Sequence, residues 1–227
     1  GDTVDINLPY LDYGYRIVFF GDEIEKIEQL EIETGKRISE LDVGEIDLDE
    51  ENFRSSMSEV QVFFDTPLLM RILGISYHEL INSAVELKNM CLQTGCKLCV
   101  FDHTVREIVR NIQGFILASS TGMPITNETS HYATENGANP EDFVFFLASL
   151  EDRLISEGFT IIPREYREFD DDFSETDLEQ EIEKKLQQNK REAIVADVDS
   201  LAGIYCIRNG APKKYLEKSE AILVTSN

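Results

Sequence analysis

Residues 58–227 read as a three-layer α/β domain with a mostly parallel central sheet, preceded by a small antiparallel β element over residues 1–38 and an acidic linker over residues 39–57. Three observations predict this. Short apolar runs at Val60–Phe64, Lys97–Phe101 and Ala221–Thr225 suit strands covered on both faces. Helix-like segments separate those runs, the alternation expected of a parallel sheet. The first 30 residues instead show short strand-like stretches broken by turn signals, the pattern of a small antiparallel sheet.

Taken in order, Thr3–Leu8 and Arg16–Phe20 flank the turn-rich PYLDYGY, and Gly21-Asp22 punctuates a return strand, Glu23–Leu30. Three short strands bury little on their own, so this piece packs on something or belongs to a larger parent. Residues 39–57 are acidic, with Ile46, Leu48 and Phe53 as their large apolar side chains. Helices are expected at Pro67–Leu73 and His78–Leu92, the second closed by a Gly95 cap. The strand Lys97–Phe101 precedes a helix over Thr104–Ala118, with Val105, Ile108, Val109, Ile112 and Ile116 on its inner face. Ser119–Pro140 reads as a loop, Glu141–Glu157 as one helix and Phe159–Ile162 as a short strand. A charge-dense stretch follows, with an acidic run at Asp170–Asp172 and a solvated polar helix over Asp177–Lys190. The apolar run ending at Asp197 leads into a helix over Asp199–Arg208, and Ala221–Thr225 is the last strand.

Composition bounds the function. With 42% hydrophobic and 29% charged residues the chain has a core to bury. No apolar stretch reaches the roughly 18 residues of a membrane span, and no basic-then-apolar leader opens the sequence. The four cysteines are too few and too clustered for a secreted disulfide framework, so a reducing cytoplasm is the expected compartment. A formal net charge of −23 argues against a sequence-specific DNA reader, because phosphates reward Lys and Arg. It leaves room for a metal-dependent nuclease, whose bound cations cancel local charge. It also suits a basic protein partner.

Four acidic or amide positions carry the chemistry. VQVFFD runs into TPLLMRILG, KLCVFDHTVRE carries Glu107, AIVADVD runs into SLAGIYCIRNG, and AILVTSN closes the chain. A strand that ends in a carboxylate puts negative charge at the rim of a sheet. Several such rims side by side can hold a divalent cation, since hard cations take oxygen ligands and bridge to phosphate oxygens. Each position also has a plainer use. Asp65 before Thr66-Pro67 is a helix cap as well as a ligand candidate. Glu107 could be helix surface. Asp197 and Asp199 compete for one role, Asp199 at the expected N-cap and Asp197 nearer the strand end.

In that order, these four motifs resemble those of PIN-like domains, a family of metal-dependent nucleases that includes toxins of toxin–antitoxin pairs. The resemblance covers residues 58–227. It implies that Asp65, Glu107 and Asp197 or Asp199 bind Mg²⁺ or Mn²⁺, with Asn227 where the family has Asp or Asn. The implied activity is cleavage of RNA or single-stranded nucleic acid. An amide in the fourth position is a weaker ligand, which instead favours a non-catalytic interaction module on a degenerate fold.

Residues 1–38 have a separate resemblance. Gly1-Asp2 before a strand, Phe19-Phe20-Gly21-Asp22-Glu23-Ile24 and Thr34-Gly35 are similar to part of the UvrB subunit of bacterial nucleotide excision repair. The resemblance implies a protein partner for this segment, the UvrA subunit. No GxxxxGK[ST] loop occurs in the sequence, which excludes ATP-driven unwinding by these residues.

Other patterns are weaker. Cys91, Cys96 and Cys99 have ligand-like spacing, but Cys99 lies in an apolar strand, where a free cysteine behaves as a small hydrophobe. His103 is expected near a helix start. Arg106, Arg110 and Lys213-Lys214 are the basic residues nearest the proposed site, as backbone contacts or as solvated surface.

Overall fold

The computed structural model describes residues 3–7, 13–20, 23–32, 34–41, 57–122, 128–164, 174–186, 191–211, 213 and 216–226. Four strands come first: β1 (Thr3–Asn7), β2 (Tyr13–Phe20), β3 (Glu23–Glu31) and β4 (Arg37–Leu41). They form one antiparallel sheet in chain order. The fourth strand extends the expected three and takes residues 39–41 from the expected linker. Gly35 makes the return possible: at φ 65° it turns the chain, and its N–H meets Glu31 O at 2.8 Å. Residues 8–12 and Gly21-Asp22, expected as turns, and residues 42–56 of the expected linker lie outside the described residues.

Register gives this sheet two unlike faces. Val4 pairs with Ile17, Ile17 with Ile27 and Ile27 with Leu41, so an aliphatic row crosses all four strands. The neighbouring row, on the opposite face by strand alternation, is Asp5, Arg16, Glu28 and Glu40. Its charges are paired. Arg16 donates from Nε and Nη2 to the two Asp5 oxygens, each at 2.7 Å. Glu28 accepts from Lys26 at 2.9 Å and Arg37 at 3.4 Å, and Arg37 also reaches Glu40 at 3.1 Å. The hydrogen bond from Lys26 is the main reason the Glu28 carboxyl sits below the usual carboxylate range.

A second, four-stranded parallel sheet carries the rest. Its strands are β5 (Gln61–Phe64), β6 (Lys97–Phe101), β7 (Thr160–Ile162) and β8 (Ala221–Val224), in the order β7-β6-β5-β8. The three strands expected to share a sheet do so, with Val62 level with Leu98 on one side and Ile222 on the other. Between β5 and β6 run α1 (Thr66–Ile72) and α2 (His78–Gln93). α3 (Asp102–Thr121), α4 (Glu128–Asn136), α5 (Pro140–Ala148) and α6 (Leu150–Ser156) lead to β7, and α7 (Glu175–Leu186) and α8 (Arg191–Ile207) lead to β8.

Alternation along the strands builds the three layers. Val62, Phe64, Leu98 and Val100 enter a large core with Leu69 of α1, Ile108 and Ile112 of α3, and Phe143 of α5. Phe63, Cys99 and Phe101 point the other way, into a smaller core with Ile204 of α8. Neither core draws a residue from β1–β4. The expected Gly95 cap is present. Gly95 N–H bonds Leu92 O at 3.1 Å, Cys96 N–H bonds Cys91 O at 3.0 Å, and Gly95 has φ 86°.

Three expectations are corrected. The loop expected over Ser119–Pro140 contains α4, which buries Thr129 and Ala133 one turn apart. The single helix expected over Glu141–Glu157 breaks at Ser149 (φ −113°, ψ 10°), whose hydroxyl bonds the carbonyls of Phe145 and Phe146 at 3.2 Å. The run over Ala193–Val198 is not a strand. It belongs to α8, because Ile194, Val198 and Ala202 repeat every four residues and are all buried. The acidic run Asp170–Asp172 lies outside the described residues.

Candidate functional site

Chain order and strand order together place the site. The chain steps outward from β5 to β6 and β7, then returns to add β8 on the opposite side of β5. In open α/β sheets such a reversal marks the ligand position, which here falls at the carboxyl ends of β5 and β8. Asp65 follows β5 directly, and Thr225 follows β8. Thr225 donates its hydroxyl to Asp65 Oδ2 at 2.9 Å, and the Asp65 N–H bonds Val224 O at 3.1 Å.

Asp65 is also the cap of α1. It has extended backbone angles (φ −77°, ψ 161°), and Oδ1 accepts from Thr66 N–H at 2.7 Å. Pro67 in the first turn costs nothing, since its missing N–H has no intrahelical acceptor there. Asp65 Oδ1 thus serves the helix, and Oδ2 takes the Thr225 hydroxyl.

Glu107 enters from the second turn of α3 and points at the same place. Its Oε2 accepts from the Thr66 hydroxyl at 2.6 Å. Burial raises the Glu107 pKa; the Thr66 hydrogen bond opposes that rise, and the charge of Asp65 adds to it. Asp197 completes the group from the middle of α8, not from a strand end. Its pKa is pushed up to about 6, first by burial and then by the charges of Asp65 and Glu107. No hydrogen-bond donor among the described residues meets Asp197. The charges of Asp65 and Glu107 thus act on Asp197, and that of Asp65 on Glu107, at the rim of the sheet. The three carboxylates are not gathered as a formed ligand shell: among the described residues no group of three or more His, Cys, Asp or Glu is arranged to hold a metal. Hydrogen bonds to Thr66 and Thr225 occupy part of the oxygen set. Carboxylate oxygen is the ligand type a hard divalent cation takes, but these three are not placed as a group that could hold one.

Asp199 separates from this group. Two residues beyond Asp197 on a helix, it faces another direction and forms an ion pair with Arg164. It does not cap the helix, since α8 starts at Arg191. Arg164 was not visible as special in the sequence. It follows β7, its side chain is 1% exposed, and it also pairs with Glu175 of α7, while its N–H approaches Asp102 Oδ1 at 3.4 Å. A cation two residues after a strand, in a chain this acidic, is the signal that could have found it. Asn227, the fourth expected position, lies outside the described residues.

His103 is structural. It is 4% exposed, and burial lowers its pKa to about 4, so it is neutral at physiological pH. Ser200 gives its one hydroxyl hydrogen to Ala196 O at 3.0 Å and therefore accepts from His103 Nε2 at 2.8 Å. Of the basic residues, Arg106 is held by Asp102 at 2.8 Å and Lys213 by Glu220 at 3.1 Å. Arg110 is exposed and close enough to Glu107 for its charge to lower that pKa. Lys214 lies outside the described residues. All four cysteines are free, and burial lifts Cys91 and Cys99 to about 11, far from thiolate chemistry.

Among the described residues no helix is long and apolar enough to cross a membrane. Comparison with known proteins bears on the N-terminal sheet. Residues 1–51 match the family model of the UvrB interaction domain. The UvrABC system protein B of Cytophaga hutchinsonii is 60% identical over 40 residues, which is 18% of this chain and 6% of that protein. The chain therefore spans a small part of the length of the relative it matches. No solved structure matches the chain. The N-terminal sheet is thus similar to a UvrB interaction domain.

Proposed function

We propose that this chain is an interaction protein linked to DNA repair, in which the N-terminal sheet docks on a UvrA-type subunit. The reading is carried by the match of residues 1–51 to the UvrB interaction domain, on a segment that folds as a four-stranded sheet. The two faces of that sheet add physical support. On one face the charges neutralise one another; on the other the aliphatic row is open at Val4, 48% exposed. Beyond the register shift at Val18/Phe19, Ile24 is 56% exposed and pairs with Phe19 on the face of Ile17. Apolar side chains left open on one face are compatible with a contact surface there. Full-length chain titrated into purified UvrA by calorimetry tests the reading. Val4→Glu with Ile24→Glu should weaken binding at least tenfold, roughly the cost of placing charges in an apolar contact. Wild-type chain that does not bind UvrA would sink the proposal, and unchanged binding by the double variant would move the interface off this face.

A second reading concerns the α/β unit: metal-dependent cleavage of RNA or single-stranded nucleic acid, as its resemblance to PIN-like nucleases implies. One observation favours it, the nearness of Asp65 and Glu107 to Asp197, whose pKa their charges raise after burial. Bound Mg²⁺ or Mn²⁺ would supply a water of lowered pKa and neutralise phosphate charge. Asp65, Glu107 and Asp197 would hold the cation, and Arg110 on the same helix as Glu107 would meet a phosphate oxygen. Asp65→Asn separates this from a capping role. Asn caps nearly as well as Asp, so the fold should persist while cleavage of labelled single strands in Mn²⁺ falls by at least a hundredfold, the scale of losing one charged ligand. Cleavage at the wild-type rate would remove Asp65 from the metal site.

A further inference from the structure

We propose that Cys91 and Cys96 form a reversible disulfide, a covalent clip that ties the last turn of α2 to the residue before β6. Neither functional reading above uses these two residues.

The turn that ends α2 puts the two side chains together. Cys96 N–H bonds Cys91 O at 3.0 Å and Gly95 N–H bonds Leu92 O at 3.1 Å, with Gly95 left-handed at φ 86°. In this paired closure the residue just past the turn packs its side chain on the residue five positions earlier. Apolar side chains usually meet there; here both are cysteine. The hydrogen bond from Cys96 to Cys91 leaves their Cα atoms at most about 7 Å apart. Disulfides join Cα atoms roughly 4.4–6.8 Å apart. Thr94 fixes the direction of one sulfur. Its hydroxyl donates to the Met90 and Cys91 carbonyls at 3.0 and 2.9 Å, so Cys96 Sγ, 3.4 Å away, donates to it and lies over the last turn of α2. Both side chains face the larger core, Cys96 as a member and Cys91, half-buried, packed against it. Their nearness also shows in Cys91, whose thiol is lifted to about 11 first by burial and then by Cys96.

Exposure sets the order of the chemistry. Cys91 is the thiol that a dissolved disulfide can reach, and Cys96, 7% exposed, need reach only Cys91. Cys91, as thiolate, attacks one sulfur of a low-molecular-weight disulfide such as oxidised glutathione and expels the other as a thiolate. Cys96 then gives up its proton and attacks Cys91 Sγ, which closes the Cys91–Cys96 bond and expels the second glutathione. Two electrons and two protons pass from the protein to oxidised glutathione, which leaves as two thiols; excess glutathione reverses both steps. A thiol lifted to about 11 is scarcely ionised at neutral pH, and this slows the first step. The same high pKa makes the ionised sulfur a stronger nucleophile and leaves the reduced form without a stabilised thiolate, so the bond forms slowly and persists.

The test holds the reduced full chain in oxidised glutathione at about pH 9, where more Cys91 is ionised. Free thiols are then alkylated in denaturant, and peptide mass mapping locates the bonds. The wild type should lose two alkylatable thiols and carry a Cys91–Cys96 bond, and dithiothreitol should restore both thiols. Cys96→Ser lacks the second thiol and should instead accumulate one glutathione on Cys91, roughly tenfold or more above wild type. Should Cys96→Ser fail to fold, Cys96→Ala asks the same question with an apolar side chain. The oxidised wild type should melt about 4–8 °C above the reduced form, the effect of closing so short a loop. Cys91 and Cys96 thiols that stay alkylatable, or a glutathione that stays on Cys91 of the wild type, would mean that the two sulfurs do not meet and would overturn the inference. So would a bond from either residue to Cys99, to Cys206 or to a second chain. An oxidised form that melts no higher than the reduced one refutes the clip.

Discussion

Asp197 is held in a place that suits its protonated form. Half-buried, without a donor among the described residues and facing Asp65 and Glu107, its pKa rises to about 6 from the 3.8 of a free side chain. A carboxyl with a raised native pKa binds more protons folded than unfolded between those values, so stability falls as pH rises through that window. Below about pH 4 Asp197 is neutral in both states and costs nothing; above about pH 6 the full cost is present. Asp197→Asn should therefore stabilise the protein at pH 8, by about 1 kcal/mol once solvent screening is allowed for, and should leave it unchanged near pH 4. Urea unfolding at the two pH values checks this. An equal effect at both would mean that the side chain's charge is irrelevant to the fold. A divalent cation should remove the same cost, because it binds the ionised form.

At the level of elements, the approach of α8 to the sheet turns on Gly203. A Cβ there would stand 2.6 Å from Phe101 Cζ and 2.9 Å from its Cε1. The Phe101 ring has nowhere to go: it stacks on Phe63 at 4.1 Å and on His103 at 5.1 Å. Glycine inside a helix costs about 1 kcal/mol relative to alanine, so propensity alone favours Gly203→Ala. Overpacking a rigid core costs about 1–3 kcal/mol and acts in the opposite direction. The clash is the larger effect, and Gly203→Ala should lower the melting temperature; a rise would show that α8 can lift off Phe101 at little cost. Asp197 lies six residues earlier on α8, on a different face of the helix from Gly203. Arg164 anchors the other side of α8 through Asp199 and ties it to Glu175 of α7.

Across the whole molecule, the two sheets have separate hydrophobic content. The cores of the α/β unit contain no residue of β1–β4. Removing residues 1–41 should accordingly leave the thermal transition of the α/β unit within about 3 °C of its position in the full chain, about the shift that 1 kcal/mol brings in a domain of this size. It should also leave Mn²⁺ affinity unchanged and abolish UvrA binding. Calorimetric melting of both forms measures the first. A drop well beyond that range, or lost metal binding, would mean that the N-terminal sheet supports the rest of the fold.

Much of this architecture is legible in the amino-acid sequence. Apolar runs of four or five residues, each ending at a carboxylate or hydroxyl, determine β5, β6 and β8, because only a strand covered on both faces tolerates such a run. Gly95 and the Asp65-Thr66-Pro67 helix start are equally local, each set by the backbone geometry of one or two residues. Sequence failed where two periodicities overlap. Ala193–Val198 fits a strand in isolation, and burial against the sheet over a wide face made it a helix. Sequence also left Asp197 and Asp199 as equals. Only the tertiary structure separated them, since two residues along a helix turn a side chain by more than half a circle, toward Asp65 and Glu107 in one case and Arg164 in the other. The partners of those residues, Thr66, Thr225 and Arg164, lie far along the chain, and pairings of that range are decided by strand order, which no local pattern encodes.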